Sequence, residues 1–190
     1  MTIHPPSKSA LRQSFLERRL QLLPNDRASA AQAVAEAFFK HVPLKLKTEI
    51  VAGYWPVKAE LDALLILREL LTKGHTCALP HVTGEGAPLL FRQWDENTPM
   101  TAGKFGLSEP ANHNTVLPDI ILVPVLAFDA RGHRLGYGTG FYDRTLARLK
   151  KQKNVRTIGL AYEMQLYPGL PVEDNDVKMD MIITDRNIYK

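Results

Sequence analysis

The stretch that most constrains the fold is an apolar run, Ile120 to Phe128, followed by Gly132-His133-Arg134-Leu135-Gly136-Tyr137-Gly138-Thr139-Gly140-Phe141-Tyr142-Asp143-Arg144. The run is rich in β-formers and bounded by Pro118-Asp119 and Asp129, which predicts a buried strand. The glycine-rich segment is its exit loop. A helix from Phe141 to about Lys151, with Leu146 and Leu149 inward, follows. Strand, tight loop and helix in that order form the building unit of a parallel α/β sheet. Glycines at alternate positions admit positive φ and leave the backbone open to close approach, while the helix start offers unpaired N–H groups to an anion. The spacing is neither Gly-x-x-x-x-Gly-Lys-Ser/Thr nor Gly-x-Gly-x-x-Gly, and a tight turn without a ligand satisfies the same pattern.

The rest of the chain fits that unit. Ser7 is placed to cap a helix whose apolar residues Leu11, Phe15, Leu16, Leu20 and Leu23 recur at helical spacing. A second helix, about Ala28 to His41, presents Ala31, Val34, Ala35, Phe38 and Phe39 to the core. Glu49 to Tyr54 reads as a strand, and 55–60 as a loop into a helix carrying Leu61, Leu64, Leu65, Leu67 and Leu71 and ending at Gly74. Glu60 and Asp62 are expected in its first turn, where the helix dipole alone accounts for them. Thr76 to Leu79 and Pro88 to Gln93 are strands without a helix between them, and the polar segment 95–118 reads as a long loop whose Lys104-Phe105-Gly106 would overhang a site. Val155 to Tyr162 and Lys178 to Thr184 complete the strands. The expected fold is α/β: a mainly parallel open sheet flanked by helices, with a small β excursion around residues 76–93, in a single domain spanning residues 1–190.

Composition excludes several classes. A single cysteine, Cys77, rules out an internal disulfide framework and a thiolate zinc site, and it reads as a small core residue of a cytoplasmic protein. No run approaches the roughly 18 apolar residues of a membrane span, and Met1-Thr2-Ile3-His4-Pro5-Pro6 lacks a signal peptide's apolar core. The histidines at positions 4, 41, 75, 81, 113 and 133 fall at no metal-ligand spacing, and there is no Gly-x-Ser-x-Gly elbow. The net charge is +4, and its distribution is uneven: Arg144, Arg148, Lys150, Lys151, Lys153 and Arg156 share one window without an acid. That window suits a polyanion such as a nucleotide or a polycarboxylate tail, or simply a solvated helix end; no nucleic-acid motif accompanies it.

Carboxylates beside an anion loop are the remaining chemistry. Asp143 at the signature helix and Asp176 in the late acidic cluster suit magnesium bound together with a nucleotide, although a helix-start charge and a surface loop account for them equally. Arg134, with Arg144 beside it, is placed to neutralise charge on a transferred phosphoryl group. Lys8 and Arg12, one helical turn apart, stack two like charges that an anion would relieve. Tyr54 and Trp55 offer a flat apolar wall at a strand's carboxyl end, where open α/β sheets bind ligands.

The phrase from Ile121 to Asp129 and then Gly132 to Arg144 resembles the signature of the 5-formyltetrahydrofolate cyclo-ligase family, also called methenyltetrahydrofolate synthetases. The resemblance extends to Lys8-Ser9-Ala10-Leu11-Arg12, to Tyr54 through Asp62, to Leu79-Pro80 and to Asp176-Val177-Lys178-Met179-Asp180. Thr139 stands where Gly or Lys is common in the family, and Phe141 where Tyr is common. The resemblance implies ATP- and magnesium-dependent cyclisation of 5-formyltetrahydrofolate, with or without a polyglutamate tail, to 5,10-methenyltetrahydrofolate by a monomer. It further implies that Lys8, Arg12 and the loop Arg134, Leu135, Gly136, Tyr137, Gly138, Thr139, Gly140, Phe141, Tyr142 hold ATP, with Arg134, Tyr142 and Asp143 catalytic. Asp143 and Asp176 would assist magnesium. Tyr54, Trp55 and Glu60, with Tyr137, Gly138, Thr139 and Gly140, would hold the folate. A sugar-phosphate isomerase using the glycine loop for phosphate, and a nucleic-acid-binding module using residues 144–156, are the competing readings.

Overall fold

The computed structural model describes residues 6–44, 48–174 and 176–190, so His4 lies outside the described residues. Helix α1 (Lys8–Leu20) starts where the Ser7 hydroxyl accepts the Ala10 N–H at 3.2 Å, and α2 (Pro24–His41) carries proline at its first turn, where the missing N–H costs nothing. Strand β1 (Ile50–Ala52) leads through a loop into α3 (Leu64–Thr72), then β2 (Thr76–His81) and β3 (Leu90–Trp94). The segment expected as one long loop instead contains β4 (Met100–Ala102), β5 (Ser108–Pro110) and β6 (Thr115–Val116). These strands are too short to show an alternating pattern. After them come β7 (Ile120–Pro124), β8 (Ala127–Phe128), β9 (Arg134–Leu135), α4 (Phe141–Lys150), β10 (Arg156–Leu160), β11 (Met181–Ile183) and β12 (Ile188–Tyr189).

Eight strands form one sheet in the order β12-β11-β10-β7-β1-β2-β3-β6. The five central strands, β11 to β2, pair in parallel, and the outer pairings are antiparallel. Successive β7 residues go to opposite faces. Ile120 and Leu122 join the core beneath α2 and α3, with Phe38, Ile66, Leu67 and Leu70, whereas Ile121 and Val123 meet Leu146 and Leu149 of α4. Both faces are covered, which is why β7 is apolar throughout rather than alternating.

The apolar run 120–128 is therefore not one strand. It leaves the sheet after Pro124, and Ala127-Phe128 pairs with Arg134-Leu135 as a separate two-stranded hairpin against α1, with Leu11 and Phe15 packed on Leu126, Ala127 and Leu135. On α1 the buried stripe is Leu11, Phe15 and Arg19, while Leu20 is 55% and Leu23 65% exposed.

Chain order reverses between β1 and β7. The chain runs from β1 outward to β2 on one side and from β7 outward to β10 on the other, through α3 and α4 on opposite faces. Such a reversal leaves a crevice at the carboxyl ends of the two strands, because neither connection covers it. Tyr54-Trp55 and Pro124 mark that position.

Asp129 closes the β8–β9 hairpin. Its buried carboxylate accepts the backbone N–H groups of Arg131 (2.9 Å) and His133 (3.0 Å) and the Arg131 guanidinium. Burial pushes its pKa up, but the hydrogen bonds from His133 and Arg131 outweigh this and hold it below the usual carboxylate value. A carboxylate with a depressed folded pKa contributes stability that is fully present above its unfolded pKa and is lost as pH falls through the folded one. Asp129→Ala should thus destabilise by about 2–3 kcal/mol at neutral pH, because buried N–H groups lose their acceptor. In denaturant unfolding, the gap between variant and parent should close below about pH 4.

Candidate active site

The crevice opens into a cavity of about 990 Å³. One wall is the glycine loop from Arg134 to Arg144, the second is the loop Tyr54 to Glu60, and Lys8, Arg12, Glu173 and Asp176 close one end. The residues that the family resemblance assigns to the site all line this one cavity: Lys8, Arg12, Tyr54, Trp55, Glu60, Arg134 through Asp143, and Asp176. Phe105 and Gly106, at the turn between β4 and β5, also border it, so the expected overhang is in place. Lys104 instead donates to the Thr83 carbonyl at 2.8 Å.

The loop is shaped by two glycines. Gly138 has φ +95°, and a Cβ there would lie 3.1 Å from the Arg12 guanidinium carbon; Gly140 has φ +67° and would meet the Arg144 guanidinium at 2.6 Å. Both positions need the left-handed region and a bare backbone. Gly136 needs neither, and its carbonyl accepts Arg12 Nε at 2.9 Å. Gly140 is also the cap of α4, so the loop delivers the chain into that helix with Asp143 in its first turn.

Two cations lining the cavity are paired with carboxylates. Arg134, 8% exposed, donates to Asp143 Oδ1 at 2.8 Å, and that oxygen also takes the Val177 N–H at 3.2 Å. Lys8 Nζ lies 2.8 Å from Asp176 and 3.1 Å from Glu173. Burial pushes the Asp176 pKa up, but Lys8 and the Glu173 N–H outweigh it and hold the carboxyl below its usual range. Arg134 Nε and Arg144 Nε are buried without a hydrogen-bond partner among the described residues. Both guanidinium groups line the cavity, where charge-assisted N–H donors suit an anion. Arg144 is held there by the Thr139 carbonyl at 2.7 Å and by the Phe141 ring, whose centroid lies 5.5 Å away. Phe105 packs edge-on against Phe141, centroids 5.7 Å apart.

The opposite wall is apolar with one acid. Helix α3 begins only at Leu64, and Asp62 accepts the Leu64 N–H at 2.9 Å, so Asp62 alone has the expected helix-start role. Glu60 does not lie in the helix. It is 7% exposed, its Oε2 accepts the Val57 N–H at 3.0 Å, and burial pushes its pKa up against the opposing pull of that bond, Arg19, Tyr137 and Lys58. Tyr142 is partly buried, and that burial raises its phenol well above the usual value, so it stays neutral.

The basic window does not form a common surface. Lys153 pairs with Asp119 at 2.6 Å, Arg156 with Glu49 at 2.9 Å, and Lys150 sits 3.9 Å from Asp180; only Arg144 of the window lines the cavity. The acids that neutralise it come from distant parts of the chain, which a window count does not register. Arg19 and Lys58 were not signalled by any motif. Both sit at the Tyr54–Glu60 wall, and only the folded chain brings α1 beneath it.

No group of three or more His, Cys, Asp or Glu side chains suited to a metal occurs among the described residues. Asp143 and Asp176 each commit one oxygen to the pairs above, leaving the other without a partner among the described residues. Such a donor set fits magnesium, which keeps several waters and takes phosphate oxygens alongside one or two carboxylates.

Switch-point crevice, glycine loop and the Tyr54–Glu60 loop thus meet in one cavity, at the place where open α/β sheets bind their ligands. The sequence profile of the 5-formyltetrahydrofolate cyclo-ligase family matches residues 4–185, and the chain belongs to that family. A 5-formyltetrahydrofolate cyclo-ligase from Mycolicibacterium smegmatis is 35% identical over 192 residues, covering 96% of this chain and 95% of that protein. The Escherichia coli K12 protein of the same name is 30% identical over 181 residues, covering 92% and 98%. Among solved structures, Aquifex aeolicus 5,10-methenyltetrahydrofolate synthetase superposes with a TM-score of 0.80 at 32% identity, covering 96% of this chain and 92% of that one.

The loop geometry separates the glycines by experiment. Gly138→Ala should cost about 1–2 kcal/mol for its left-handed backbone alone. Gly136→Ala should stay within about 0.5 kcal/mol in the same denaturant titration. Equal losses at the two positions would contradict the assignment of strain.

Proposed function

We propose that residues 1–190 act as one α/β unit that cyclises 5-formyltetrahydrofolate to 5,10-methenyltetrahydrofolate, consuming ATP and releasing ADP and phosphate. The observation that carries this reading is that one cavity is lined both by the guanidinium groups of Arg134 and Arg144 and by the buried acceptor Glu60. The guanidinium groups suit phosphates. Glu60 suits a pterin, whose amino and ring N–H groups a carboxylate accepts as a pair.

The formyl oxygen on N5 is an amide oxygen and a poor leaving group. It attacks the γ-phosphorus of ATP, ADP departs, and an imidoyl phosphate results. N10 of the same folate then attacks the former formyl carbon, phosphate leaves with the formyl oxygen, and the N10 proton is released. Closure is intramolecular, so holding the folate in one pose replaces an encounter with a bond rotation. In this assignment Lys8, Arg12 and the backbone of residues 135–141 hold the triphosphate. Arg134 stabilises charge on the transferring phosphoryl group, assisted by Arg144. Tyr142, being neutral, donates a hydrogen bond to the reacting oxygens. Tyr54 and Trp55 form the wall for the pterin ring, with Tyr137 through Gly140 closing over it. Asp143 and Asp176 would hold magnesium, which supplies neutralisation of phosphate charge when bound.

We further place the protein in the cytoplasm as a monomer acting on folates with or without polyglutamate tails. Among the described residues no helix is long and apolar enough to cross a membrane.

The experiment is direct: the methenyl chromophore should appear when protein, 5-formyltetrahydrofolate and magnesium are mixed with ATP, and not without it. Folded protein giving no ATP-dependent signal would sink the reading. Asp143→Asn should lower kcat about a hundredfold and raise the magnesium needed for half-maximal rate in protein that still folds, the amide oxygen keeping an acceptor for Arg134 while its charge partner is lost. An equally large loss of folding would assign Asp143 to the α4 start instead.

A further inference from the structure

Among the described residues, Arg19 is the largest buried polar side chain without an ion-pair partner. It is 1% exposed, and its site on α1 continues the stripe of Leu11 and Phe15, where an apolar residue is the cheaper choice. A buried guanidinium with no direct carboxylate is costly unless its donors are all engaged. Here each of its three nitrogens donates one hydrogen bond, to three different parts of the active-site wall. Nε donates to the Lys58 carbonyl at 3.1 Å, Nη1 to the Val125 carbonyl at 3.3 Å, and Nη2 to the Tyr137 hydroxyl. The guanidinium carbon also lies 5.7 Å from the Tyr137 ring centroid.

Each contact holds something that bears on the cavity. Lys58 and the next residue, Ala59, have φ of 49° and 58°, a left-handed pair of non-glycine residues that turns Glu60 into the cavity. Such a turn is strained for non-glycine residues and persists only where its surroundings fix it. Val125 is where the chain leaves the sheet after β7. Tyr137 belongs to the glycine loop, and its hydroxyl, which accepts from Arg19, faces the Glu60 carboxyl. The arrangement is a relay from Arg19 through Tyr137 to Glu60.

We propose that Arg19 is a positioning residue for folate recognition: from beneath the cavity it locks the Glu60 turn to the glycine loop and sets a fixed positive charge behind the Tyr137–Glu60 pair. This rests on the reading that Glu60 receives the pterin. Besides Arg19 on α1, the groups facing Glu60 are Lys58 in its own loop, Tyr54 at the end of β1, Tyr137 in the glycine loop and Tyr142 on α4. Of these only Arg19 and Lys58 carry positive charge, and Lys58 lies over the Tyr137 ring, 5.3 Å from its centroid, beside the open cavity. Burial pushes Glu60 towards its protonated form, and Arg19 opposes this. A protonated Glu60 has lost one acceptor for the paired pterin N–H groups.

The test compares the full-length protein with Arg19→Met and with Tyr137→Phe, which cuts the relay while leaving the guanidinium in place. Binding of 5-formyltetrahydrofolate is followed by tryptophan fluorescence from pH 5 to 9, and the Glu60 carboxyl is titrated by ¹³C NMR without ligand. For Arg19→Met, folate affinity at pH 7 should fall about tenfold or more, and the acid limb of binding and the Glu60 titration should both move up by about one pH unit. Tyr137→Phe should move both in the same direction by less, and ATP affinity should change less than folate affinity in each variant. An unmoved Glu60 titration in both variants, or equal weakening of ATP and folate with an unmoved acid limb, would overturn the proposal. If Arg19→Met does not fold, Tyr137→Phe and Arg19→Lys decide it, the lysine variant keeping the acid limb near that of the parent. Failure of the parent protein to bind the folate at any pH would instead overturn the cyclo-ligase reading and the folate role with it, whatever the Glu60 titration shows.

Discussion

The side-by-side pairing of β1 and β7 is the constraint on which the rest of the site depends. Val51 and Ala52 lie against Ile120 and Ile121, and the chain departs from these two strands in opposite directions. Two loops that are far apart in sequence therefore leave the sheet at the same point, one carrying Trp55 and Glu60 and the other leading to the glycine turn. The apolar burial on both faces of β7 fixes that pairing, since slipping it by one residue would exchange the side chains meeting α3 with those meeting α4. Helix α1 then packs on the β8–β9 hairpin and brings Lys8, Arg12 and Arg19 beneath the crevice on one helix.

Charge within the crevice is balanced by the chain itself. Two cations assigned to phosphate each have a carboxylate assigned to magnesium as partner: Arg134 with Asp143, Lys8 with Asp176. Separately, a phosphate ester or a metal ion would have to strip one partner and leave the other buried with its charge uncompensated. Presented together, magnesium and a nucleotide offer each partner a replacement of the right sign, which makes the pair a better ligand than either member. The same economy explains why no protein-only metal cage is needed. On the opposite wall Glu60 has no such exchange available, and its charge is supported through Tyr137 by Arg19.

Much of this was legible in the sequence, for identifiable reasons. The parallel α/β class followed from Ile120–Phe128 and its successor helix, because a doubly buried strand is a continuous apolar run. The glycine loop and the residues around it could be listed because their chemistry is local or because the family resemblance supplied them. The 95–118 segment reads as loop from its sequence, since β4, β5 and β6 of two or three residues carry no period to detect. Glu60 was placed in a helix start, although two left-handed residues, Lys58 and Ala59, delay the helix to Leu64. Neither is glycine, so nothing in the composition signals the turn. Arg19 was invisible for the opposite reason: it occupies an apolar stripe position on an ordinary amphipathic helix, and only the tertiary fold shows which carbonyls and hydroxyl receive it.

The central claim is that the anion wall and the folate wall serve one reaction in which the formyl oxygen is activated by phosphoryl transfer before ring closure. Isotope transfer tests this most directly. With 5-formyltetrahydrofolate carrying ¹⁸O in its formyl group, the phosphate released in unlabelled water should contain one ¹⁸O for each methenyl product formed. Release of unlabelled phosphate alongside product would contradict the account, because it would mean that the formyl oxygen leaves without ever being bonded to phosphorus.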